Sequence, residues 1–301
     1  MKIIITGSSG FVGQNLIRYF ERQGVTIIPL NLRVEFPHSI PSANALIHLA
    51  GKAHDLKNTI HSEEYFNINY AKTKELFDLF LASDINDFIF FSSVKAVADS
   101  VNGILREDVI PRPKTPYGQS KLKAEQYLSS KRLSGGKRLF VLRPCMIHGP
   151  GNKGNLNLLY NIIKKDIPYP LGAFKNYRSF LSISNLLFII ERILKDTFVP
   201  GGVYHLADDD PLSTNEVIEI INEVTNKKTR IWAISPSLIK TLARVGDILP
   251  LPLNSERLKK LTESYMVSNE KIKKVFRVRE MPVSSHDGLV ATIKSFTDYS
   301  L

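Results

Sequence analysis

The first 24 residues combine a short apolar run, a glycine-containing turn and an amphipathic stretch. Residues 2–6 (KIIIT) predict a buried strand, and apolar side chains then recur at helical spacing from Val12 to Phe20. The turn between them contains Gly7, Gly10 and Gly13. Glycine at such a turn lets an anionic group approach the backbone N–H groups at a helix N-terminus, where a Cβ would block it. The segment therefore predicts a site for the pyrophosphate of a dinucleotide.

Strands and helices alternate over the first half of the chain. Apolar runs predict further strands at 25–30, Ala45–Leu49, Asp87–Ser92 and Arg138–Leu142. Helical patterns near 62–82 and 117–132 separate the later strands. This alternation is typical of a parallel sheet with helices on both faces, so the sequence predicts an α/β, Rossmann-type doubly wound fold.

The pattern changes near Pro150 to longer helices, proline-rich connections and isolated strands. We expect a dinucleotide-binding domain over 1–149, which also receives parts of 179–207, and a smaller substrate-binding lobe over 150–301. Within this lobe, residues 236–253 show an amphipathic pattern. The pattern favours a helix that packs on the lobe or contacts a second subunit over one that lies on a membrane.

Composition argues against several functions. The chain carries a formal charge of +11, but its Lys and Arg residues are spread out and lack interleaved aromatic side chains, which disfavours a nucleic-acid partner. No window approaches the roughly 20 apolar residues of a membrane span, and Met1 leads directly into a predicted strand, so we expect a cytoplasmic protein. The single cysteine, Cys145, is expected to pack within a strand. No His, Asp or Glu cluster has metal-ligand spacing, so we expect no metal.

Several short motifs follow the glycine turn in a specific order. They are HLAG at 48–51, Asn69 within FNINYAKT, FFSSVKAV at 90–97, YGQSK at 117–121, GPGNKGN at 149–155 and RSFLSISNL at 178–186. Together with the G-x-x-G-x-x-G spacing of the turn, they resemble the extended short-chain dehydrogenases/reductases of the NAD-dependent epimerase/dehydratase family. The matching segments run almost from one end of the chain to the other.

The resemblance implies an NAD or NADP cofactor and the residues that would bind it. These are Gly7, Ser9, Gly10, Phe11, Val12, Gly13, Asn31, Arg33, Leu49, Ala50, Gly51, Asn69, Ser92, Tyr117 and Lys121. NAD-specific folds usually end the second strand with Asp or Glu, which holds the ribose 2′-hydroxyl, whereas this position lies near Asn31 and is followed by Arg33. Because a guanidinium suits a 2′-phosphate, the sequence favours NADP over NAD.

Ser93, Tyr117 and Lys121 are the predicted catalytic residues. Tyr117 and Lys121 are four positions apart and would share one helix face, so the ammonium is expected to favour the phenolate form of the tyrosine. Ser93 follows a predicted strand, at the sheet edge where doubly wound folds bind ligands. The three residues predict hydride transfer at a sugar carbon, in which Tyr117 moves the hydroxyl proton and Ser93 hydrogen-bonds the oxygen. Ser92 is the second candidate for the serine role.

Lys95 narrows the choice of reaction. Sugar 4,6-dehydratases of similar sequence carry Thr-Asp-Glu or Ser-Asp-Glu where this chain has Ser-Val-Lys at 93–95. Elimination of water needs a carboxylic acid and a carboxylate, and a lysine supplies neither, so a dehydratase is disfavoured. The motifs are most similar to a bacterial surface-polysaccharide branch of UDP-glucose 4-epimerase-like proteins and UDP-4-keto-6-deoxy-N-acetylhexosamine reductases. We expect a 4-keto reductase of that type, with a UDP-hexose 4-epimerase or a non-catalytic NAD(P)-binding subunit as alternatives.

The resemblance also implies contacts to a UDP-linked sugar substrate. The candidate residues are Ser93, Asn155, Arg178, Arg257 and Tyr265. Asn155 and Arg178 match positions that hold the pyrophosphate and nucleotide in similar proteins, where the fork of an arginine suits phosphate geometry. The same resemblance implies a homodimer.

The sequence leaves two points for the structure to decide: the form of the short connection before HLAG and the roles of four histidines. Similar proteins normally fit a third strand, whose Gly-Asp-x turn holds the adenine, and a helix between the second strand and HLAG. Here only Val34 to Asn44 separate them, so we expect either loss of an edge element or a very short strand. Histidines are the second feature: His48, His54, His148 and His205 are expected to be structural rather than catalytic, with His48 hydrogen-bonded near the cofactor.

Overall fold

The computed structural model describes residues 1–33, 36–52, 61–152, 154–249 and 253–298. In chain order, the first half contains β1 (Lys2–Thr6), α1 (Phe11–Glu21), β2 (Thr26–Leu30), β3 (Ala45–His48), α2 (Ser62–Phe66), a π-helical turn (Asn67–Ala71), α3 (Lys72–Leu81), β4 (Asp87–Phe91), a 3₁₀ turn (Val94–Ala96), β5 (Ile104–Leu105) and α4 (Pro116–Ser129). The second half contains β6 (Arg138–Pro144), β7 (Met146–His148), α5 (Asn155–Lys164), β8 (Tyr177–Arg178), β9 (Phe180–Ser182), α6 (Ile183–Lys195), β10 (Gly202–Leu206), β11 (Leu212–Ser213), α7 (Thr214–Thr225), α8 (Pro236–Ile248), α9 (Ser255–Thr262), β12 (Met266–Val267), α10 (Glu270–Phe276) and α11 (Ser285–Asp298). Within the described ranges, no helix has both the length and the apolar character that crossing a membrane requires.

Six parallel strands form the main sheet in the order β10-β6-β4-β3-β1-β2. Every residue of β3 and β4 is buried, as expected of strands that helices cover on both faces. Because β10 pairs with β6, the chain returns to the sheet after α5 and α6. The predicted α/β doubly wound fold is confirmed.

Alternate side chains of the strands pack on opposite faces of the sheet. Ile3 and Ile5 belong to the apolar cluster that includes α1 and α6, whereas Ile4 between them belongs to the cluster that includes α3 and α4. A third cluster joins α5, α7, α8, α9 and α11 beyond the sheet. The molecule therefore has a two-sided sheet core and a separate apolar core in the C-terminal half.

The outer side of β2 is the edge of the main sheet. β2 pairs with β1 alone, and residues 36–44 of the following connection contain no strand. Phe36, Ile40 and Ala43 instead pack against the cluster under α3 and α4. Of the two expected outcomes, the loss of the edge element holds for the described part of this connection, while Val34 and Glu35 lie outside it. The connection is too short to cross the sheet edge, form a strand and return through a helix.

The carboxyl ends of three adjacent strands form one edge of the sheet. β3 pairs with both β1 and β4, and all three run in the same direction. Gly7 follows β1, Leu49 follows β3 and Ser92 follows β4. This edge is where parallel α/β sheets bind their ligands, so the fold brings the sequence motifs together at one place.

Candidate functional site

The glycine turn connects β1 to α1 with very little space around its backbone. Gly7 has a φ of 68°, in the left-handed region that favours glycine, and its carbonyl accepts a hydrogen bond from the Gly10 N–H at 3.0 Å. A Cβ on Gly7 would lie 2.8 Å from the Ala50 nitrogen, and one on Gly13 would lie 2.5 Å from the Gly7 oxygen. These contacts hold the start of α1 against the ends of β1 and β3. The backbone N–H groups in the first turn of α1 can therefore bind an anion at this edge of the sheet. The turn fits a dinucleotide pyrophosphate.

A buried hydrogen-bonded chain supports the floor of this turn. The Ala50 N–H donates to Thr6 Oγ1 at 3.1 Å, and Thr6 Oγ1 lies 2.7 Å from His48 Nδ1. His48 Nε2 lies 2.8 Å from Thr73 Oγ1, which donates to the Asn69 carbonyl at 2.9 Å. Because Thr73 uses its hydroxyl proton on Asn69, the network assigns the ring proton of His48 to Nε2. His48 is therefore a neutral structural residue beside the site.

Burial lowers the pKa of His48 to about 3, and the nearby Lys121 ammonium acts in the same direction. An unfolded histidine has a pKa of about 6.5, so between these values the unfolded chain binds a proton that the folded chain does not. The free energy of unfolding is therefore expected to fall as the pH falls below 6.5. At pH 5, protonation of His48 in the unfolded chain accounts for a loss of about 2 kcal/mol. His48→Gln should lose about 2 kcal/mol less than the parent between pH 7 and pH 5, measured by urea unfolding at both values.

His38 offers the matched control for this experiment, since it is exposed. His38→Gln should retain the full acid-induced loss of the parent protein. If His48→Gln lost as much stability as the parent between the two pH values, the buried neutral histidine would not be the source of the effect.

Asn69 joins the end of β3 to α4. Its side chain accepts from the Lys52 N–H at 2.7 Å and donates to the Lys52 carbonyl and to Ser120 Oγ, both at 3.1 Å. A Cβ on Gly51 would lie 2.9 Å from Asn69 Oδ1 and 3.2 Å from Lys121 Nζ. Asn69 lies in the π-helical turn, a distortion that is often found at functional sites. The predicted cofactor residues at 49–51 and 69 thus form one packed unit with the helix that carries Tyr117 and Lys121.

Ser93, Tyr117 and Lys121 meet at the carboxyl end of β4. Tyr117 is the second residue of α4, whose start is fixed by Thr115 through an N-cap hydrogen bond from the Gly118 N–H. The Ser93 and Tyr117 side chains share a hydrogen bond. One turn later, the buried Lys121 Nζ donates to the Phe91 carbonyl at 2.8 Å. The three predicted catalytic residues therefore surround the end of one strand.

The protonation of Tyr117 differs from the expectation. Burial raises the pKa of the Tyr117 phenol above its ordinary value, and the hydrogen bond with Ser93 acts in the opposite direction. Burial also lowers the pKa of Lys121 to about 8, against the opposing effect of the Glu125 carboxylate. Desolvation of the phenolate thus outweighs the predicted help from the lysine, whose ammonium is bonded to the Phe91 carbonyl. Tyr117 is a protonated phenol at neutral pH.

Ser92 and Ser93 face different surroundings. Ser92 Oγ donates to Glu125 Oε1, and Glu125 also forms a buried ion pair with Arg143, whose Nη2 lies 2.5 Å from Oε2. Ser92 therefore contacts the interior, and Ser93 is the serine beside Tyr117. Sequence analysis did not identify Glu125 as a site residue. The available signal was its position on α4, one helical turn after Lys121.

The predicted ribose contacts lie in the turn after β2. Asn31 Oδ1 accepts from the Arg33 N–H at 2.9 Å, and both side chains are exposed. Since β2 is parallel to β1, this turn lies at the same sheet edge as Gly7. Arg33 is thus available to an anionic group at that edge.

Arg178 and Tyr265 connect the C-terminal half to the loop that contains Ser93. Arg178 Nε donates to the Glu263 carbonyl at 3.1 Å, and its Nη2 donates to the Lys260 carbonyl. A β-bridge joins Arg178 to Tyr265, whose hydroxyl donates to the Ala98 carbonyl at 2.7 Å. Lys95 Nζ lies 4.0 Å from the centroid of the Tyr265 ring. Burial lowers the pKa of Arg178 and of Lys95, and the positive charge of Arg178 lowers the pKa of Lys95 further, so the two cations are near neighbours.

The other two predicted substrate residues lie at the starts of two helices, α5 and α9. Arg257 is exposed in the first turn of α9, where its N–H bonds to the Asn254 side chain at 2.8 Å. Asn155 is the first residue of α5, but its side chain lies outside the described part of the chain. His54 also lies outside it.

Cys145, His148 and His205 lie in the interior of the described part of the chain. Cys145 packs against the apolar core, and burial raises the pKa of its thiol well above the ordinary value. His148 and His205 are buried, and burial lowers the pKa of His205 to about 4. Across the described ranges, no group of His, Cys, Asp or Glu side chains could hold a metal ion.

Comparison with known proteins shows which family the sequence resembles and which solved structures share its fold. The sequence profile of the NAD dependent epimerase/dehydratase family matches residues 3–207. A UDP-glucose 4-epimerase of Vibrio cholerae is 27% identical over 251 residues, which cover 75% of this chain and 76% of that protein. A UDP-2-acetamido-2,6-beta-L-arabino-hexul-4-ose reductase of Pseudomonas aeruginosa is 24% identical over 274 residues, which cover 87% and 66% of the two chains. The solved structure of MoeE5 in complex with UDP-glucose and NAD is similar in fold, with a TM-score of 0.76, 19% identity and full coverage of both chains.

Proposed function

Because this chain belongs to the NAD dependent epimerase/dehydratase family, we propose that it reduces a 4-keto group on a UDP-linked 6-deoxy-N-acetylhexosamine with NADPH or NADH, in surface polysaccharide synthesis. The observation that carries the proposal is the hydrogen bond between Ser93 and Tyr117 at the carboxyl end of β4. It lies at the same sheet edge as the glycine turn. The reductase from Pseudomonas aeruginosa gives independent support for a keto sugar as substrate.

The site has matching places for the parts of a dinucleotide. We expect the pyrophosphate at Gly7, Gly10 and Gly13, with Ser9, Phe11 and Val12 around it. Asn31 and Arg33 would face the adenosine ribose, while residues 49–51, Asn69 and Ser92 would form the wall nearer the reaction. Lys121 would hold the nicotinamide ribose, since an ammonium has three N–H donors and the Phe91 carbonyl takes one. When bound, the nicotinamide supplies the hydride.

Tyr117 and Ser93 would handle the oxygen and its proton. A ketone that accepts hydride becomes an alkoxide, and it needs a proton as the charge develops. Tyr117 is a protonated phenol at neutral pH, which is the form that an acid requires. Ser93 would hold the carbonyl oxygen toward Tyr117. The Lys121 ammonium nearby would stabilise the phenolate that remains after proton transfer.

The position of Lys95 argues against dehydration. Lys95 Nζ donates to the Asp99 carbonyl at 2.7 Å and lies over the Tyr265 ring, at the place where a dehydratase would carry a carboxyl group. Arg178 would contact the diphosphate of the substrate, and Tyr265 would pack beside the sugar. Arg257 and Asn155 would complete the nucleotide contacts.

We further propose a cytoplasmic homodimer in which residues 1–149, with parts of 179–207, bind the cofactor and 150–301 bind the sugar nucleotide. The division into two parts is supported by β10, which completes the main sheet, and by the separate apolar cluster around α5, α7 and α11.

A UDP-hexose 4-epimerase is the second candidate. The same three catalytic residues would serve it, and the relative from Vibrio cholerae bears that name.

The experiment that separates the two functions supplies the purified protein with UDP-4-keto-6-deoxy-N-acetylhexosamine and either NADPH or NADH, and follows the absorbance of the reduced nicotinamide. A reductase would oxidise the nicotinamide, so its absorbance should fall. The epimerase predicts no net loss, but interconversion of UDP-glucose and UDP-galactose. If neither reaction occurs while NAD(P) still binds, the result favours the non-catalytic binding protein.

Arg33 tests the choice of cofactor. If its guanidinium meets a 2′-phosphate, Arg33→Ala should lower kcat/KM for NADPH by about tenfold or more and leave the value for NADH unchanged, since charged hydrogen bonds contribute about 1.5–3 kcal/mol. Steady-state kinetics with both cofactors give the ratio. Arg22→Ala is the matched control, because Arg22 is exposed just after α1. If Arg33→Ala changed kcat/KM equally for NADPH and NADH, Arg33 would not contribute to the choice between the two cofactors.

A further inference from the structure

Among the residues that the structure describes, none covers an apolar face of α8. The exposed fractions of its apolar side chains are 86% for Ile248, 54% for Leu238, 50% for Leu242 and 41% for Val245. At 3.6 residues per turn, these positions fall on one side of the helix. Exposed aliphatic side chains that are contiguous in this way mark an interaction surface.

The opposite side of α8 is fixed to the protein. Ile239, Ala243 and Gly246 are buried, and a Cβ on Gly246 would lie only 1.9 Å from the Leu253 carbonyl oxygen. The helix therefore lies flat on the molecule, as the sequence pattern favours. Because α8 lies flat, its outer face can meet a broad partner surface but cannot enter a groove that closes around the helix.

Exposed basic side chains lie on α8 itself and on the neighbouring α9. Lys240 and Arg244 are exposed on α8, and Lys259 and Lys260 are exposed on α9, which packs beside it. The two acidic residues of this segment have local roles: Asp247 accepts from Ser255 N–H and Oγ, while Glu256 pairs with Lys260. Five basic and two acidic residues between 236 and 262 leave a net formal charge of +3.

We infer that α8 and α9 form a surface that docks on an anionic phospholipid bilayer. The apolar face of α8 would enter the boundary between headgroups and acyl chains, while Lys240, Arg244, Lys259 and Lys260 would meet the lipid phosphates. An apolar helix face with basic residues beside it is the combination that interfacial helices use, and basic residues near an anionic leaflet strengthen the attachment. We call these residues the α8–α9 surface.

A second copy of the chain fits this surface less well. In a two-fold symmetric contact, the same patch from each subunit would face itself. The basic residues of the two copies would then lie close together, and like charges repel. An anionic bilayer satisfies both the apolar face and the charge.

The α8–α9 surface adjoins the proposed diphosphate contact. The Lys260 and Glu263 carbonyls, at and just beyond the end of α9, accept hydrogen bonds from Arg178. Docking would therefore hold the substrate-binding half of the enzyme against the membrane.

Vesicle binding by the full chain tests the inference. The protein is sedimented with vesicles of phosphatidylcholine alone or of phosphatidylcholine with phosphatidylglycerol, at low and high salt. We expect binding to the anionic vesicles that weakens with salt. Leu242→Ser/Ile248→Ser and Lys240→Glu/Arg244→Glu should each reduce the partition coefficient by about tenfold or more.

Phe198→Ser is the matched control, because Phe198 is 94% exposed after α6 and lies outside the α8–α9 surface. It should bind vesicles as the parent does, and circular dichroism should show that every variant is folded. Failure of the parent protein to bind anionic vesicles would overturn the inference, as would full binding by Leu242→Ser/Ile248→Ser. A dimer that this double variant converts to a monomer, without vesicle binding, would assign the surface to a second copy instead.

Discussion

Tyr117→Phe is expected to lower kcat for the keto sugar by about 10²–10⁴-fold, the usual contribution of a positioned proton donor. Phenylalanine retains the ring, which packs edge-to-face on Tyr65 with centroids 6.0 Å apart, and removes the hydroxyl that bonds to Ser93. Binding of NAD(P) should persist, because the glycine turn and Lys121 are unchanged. Steady-state kinetics and a separate titration of the cofactor measure the two effects.

Tyr127→Phe provides the comparison on the same helix. Its hydroxyl donates to Asp78 at 2.6 Å, away from Ser93, so kcat should remain that of the parent. Full activity of Tyr117→Phe would remove this residue from the mechanism.

Glu125→Gln is expected to lower the free energy of unfolding by about 3–5 kcal/mol, since removing one partner of a buried ion pair leaves the other charge uncompensated. Both side chains of the pair are buried: Arg143 is 6% exposed and Glu125 is 4% exposed. Glutamine keeps the size of the side chain but loses its charge, and the Ser92 hydroxyl then donates to a weaker acceptor. Chemical denaturation of parent and variant gives the difference.

Two further variants separate charge from packing. Glu270→Gln removes a partner from the exposed pair with Arg106, so it should cost at most about 1 kcal/mol. Glu125→Leu/Arg143→Met removes both buried charges and should recover much of the stability lost by Glu125→Gln. A loss no greater for Glu125→Gln than for Glu270→Gln would contradict a dry, tightly paired site.

The sequence by itself determined the main strands and helices of the first half of the chain and their order. The apolar run at 2–6, the three glycines and the helical spacing after them are local patterns, and the structure has β1, the turn and α1 at those positions. The alternation of strands and helices was sufficient to predict the parallel sheet. Hydrophobic periodicity and glycine conformation depend on neighbouring residues alone, which is why they are readable without the fold.

Long-range contacts decided what the local patterns could not. The sequence placed Ser92 and Ser93 together, but only the packing of β4 against α4 and β6 turned Ser92 toward Glu125 and Ser93 toward Tyr117. The four-residue spacing of Tyr117 and Lys121 predicted a lowered phenol pKa, whereas burial in the tertiary structure raises it. The joining of Arg178 with Tyr265, 87 positions apart in sequence, likewise required the fold. Desolvation and hydrogen-bond partners are set by residues distant in the chain, so the chemistry of the site was decided by the tertiary structure.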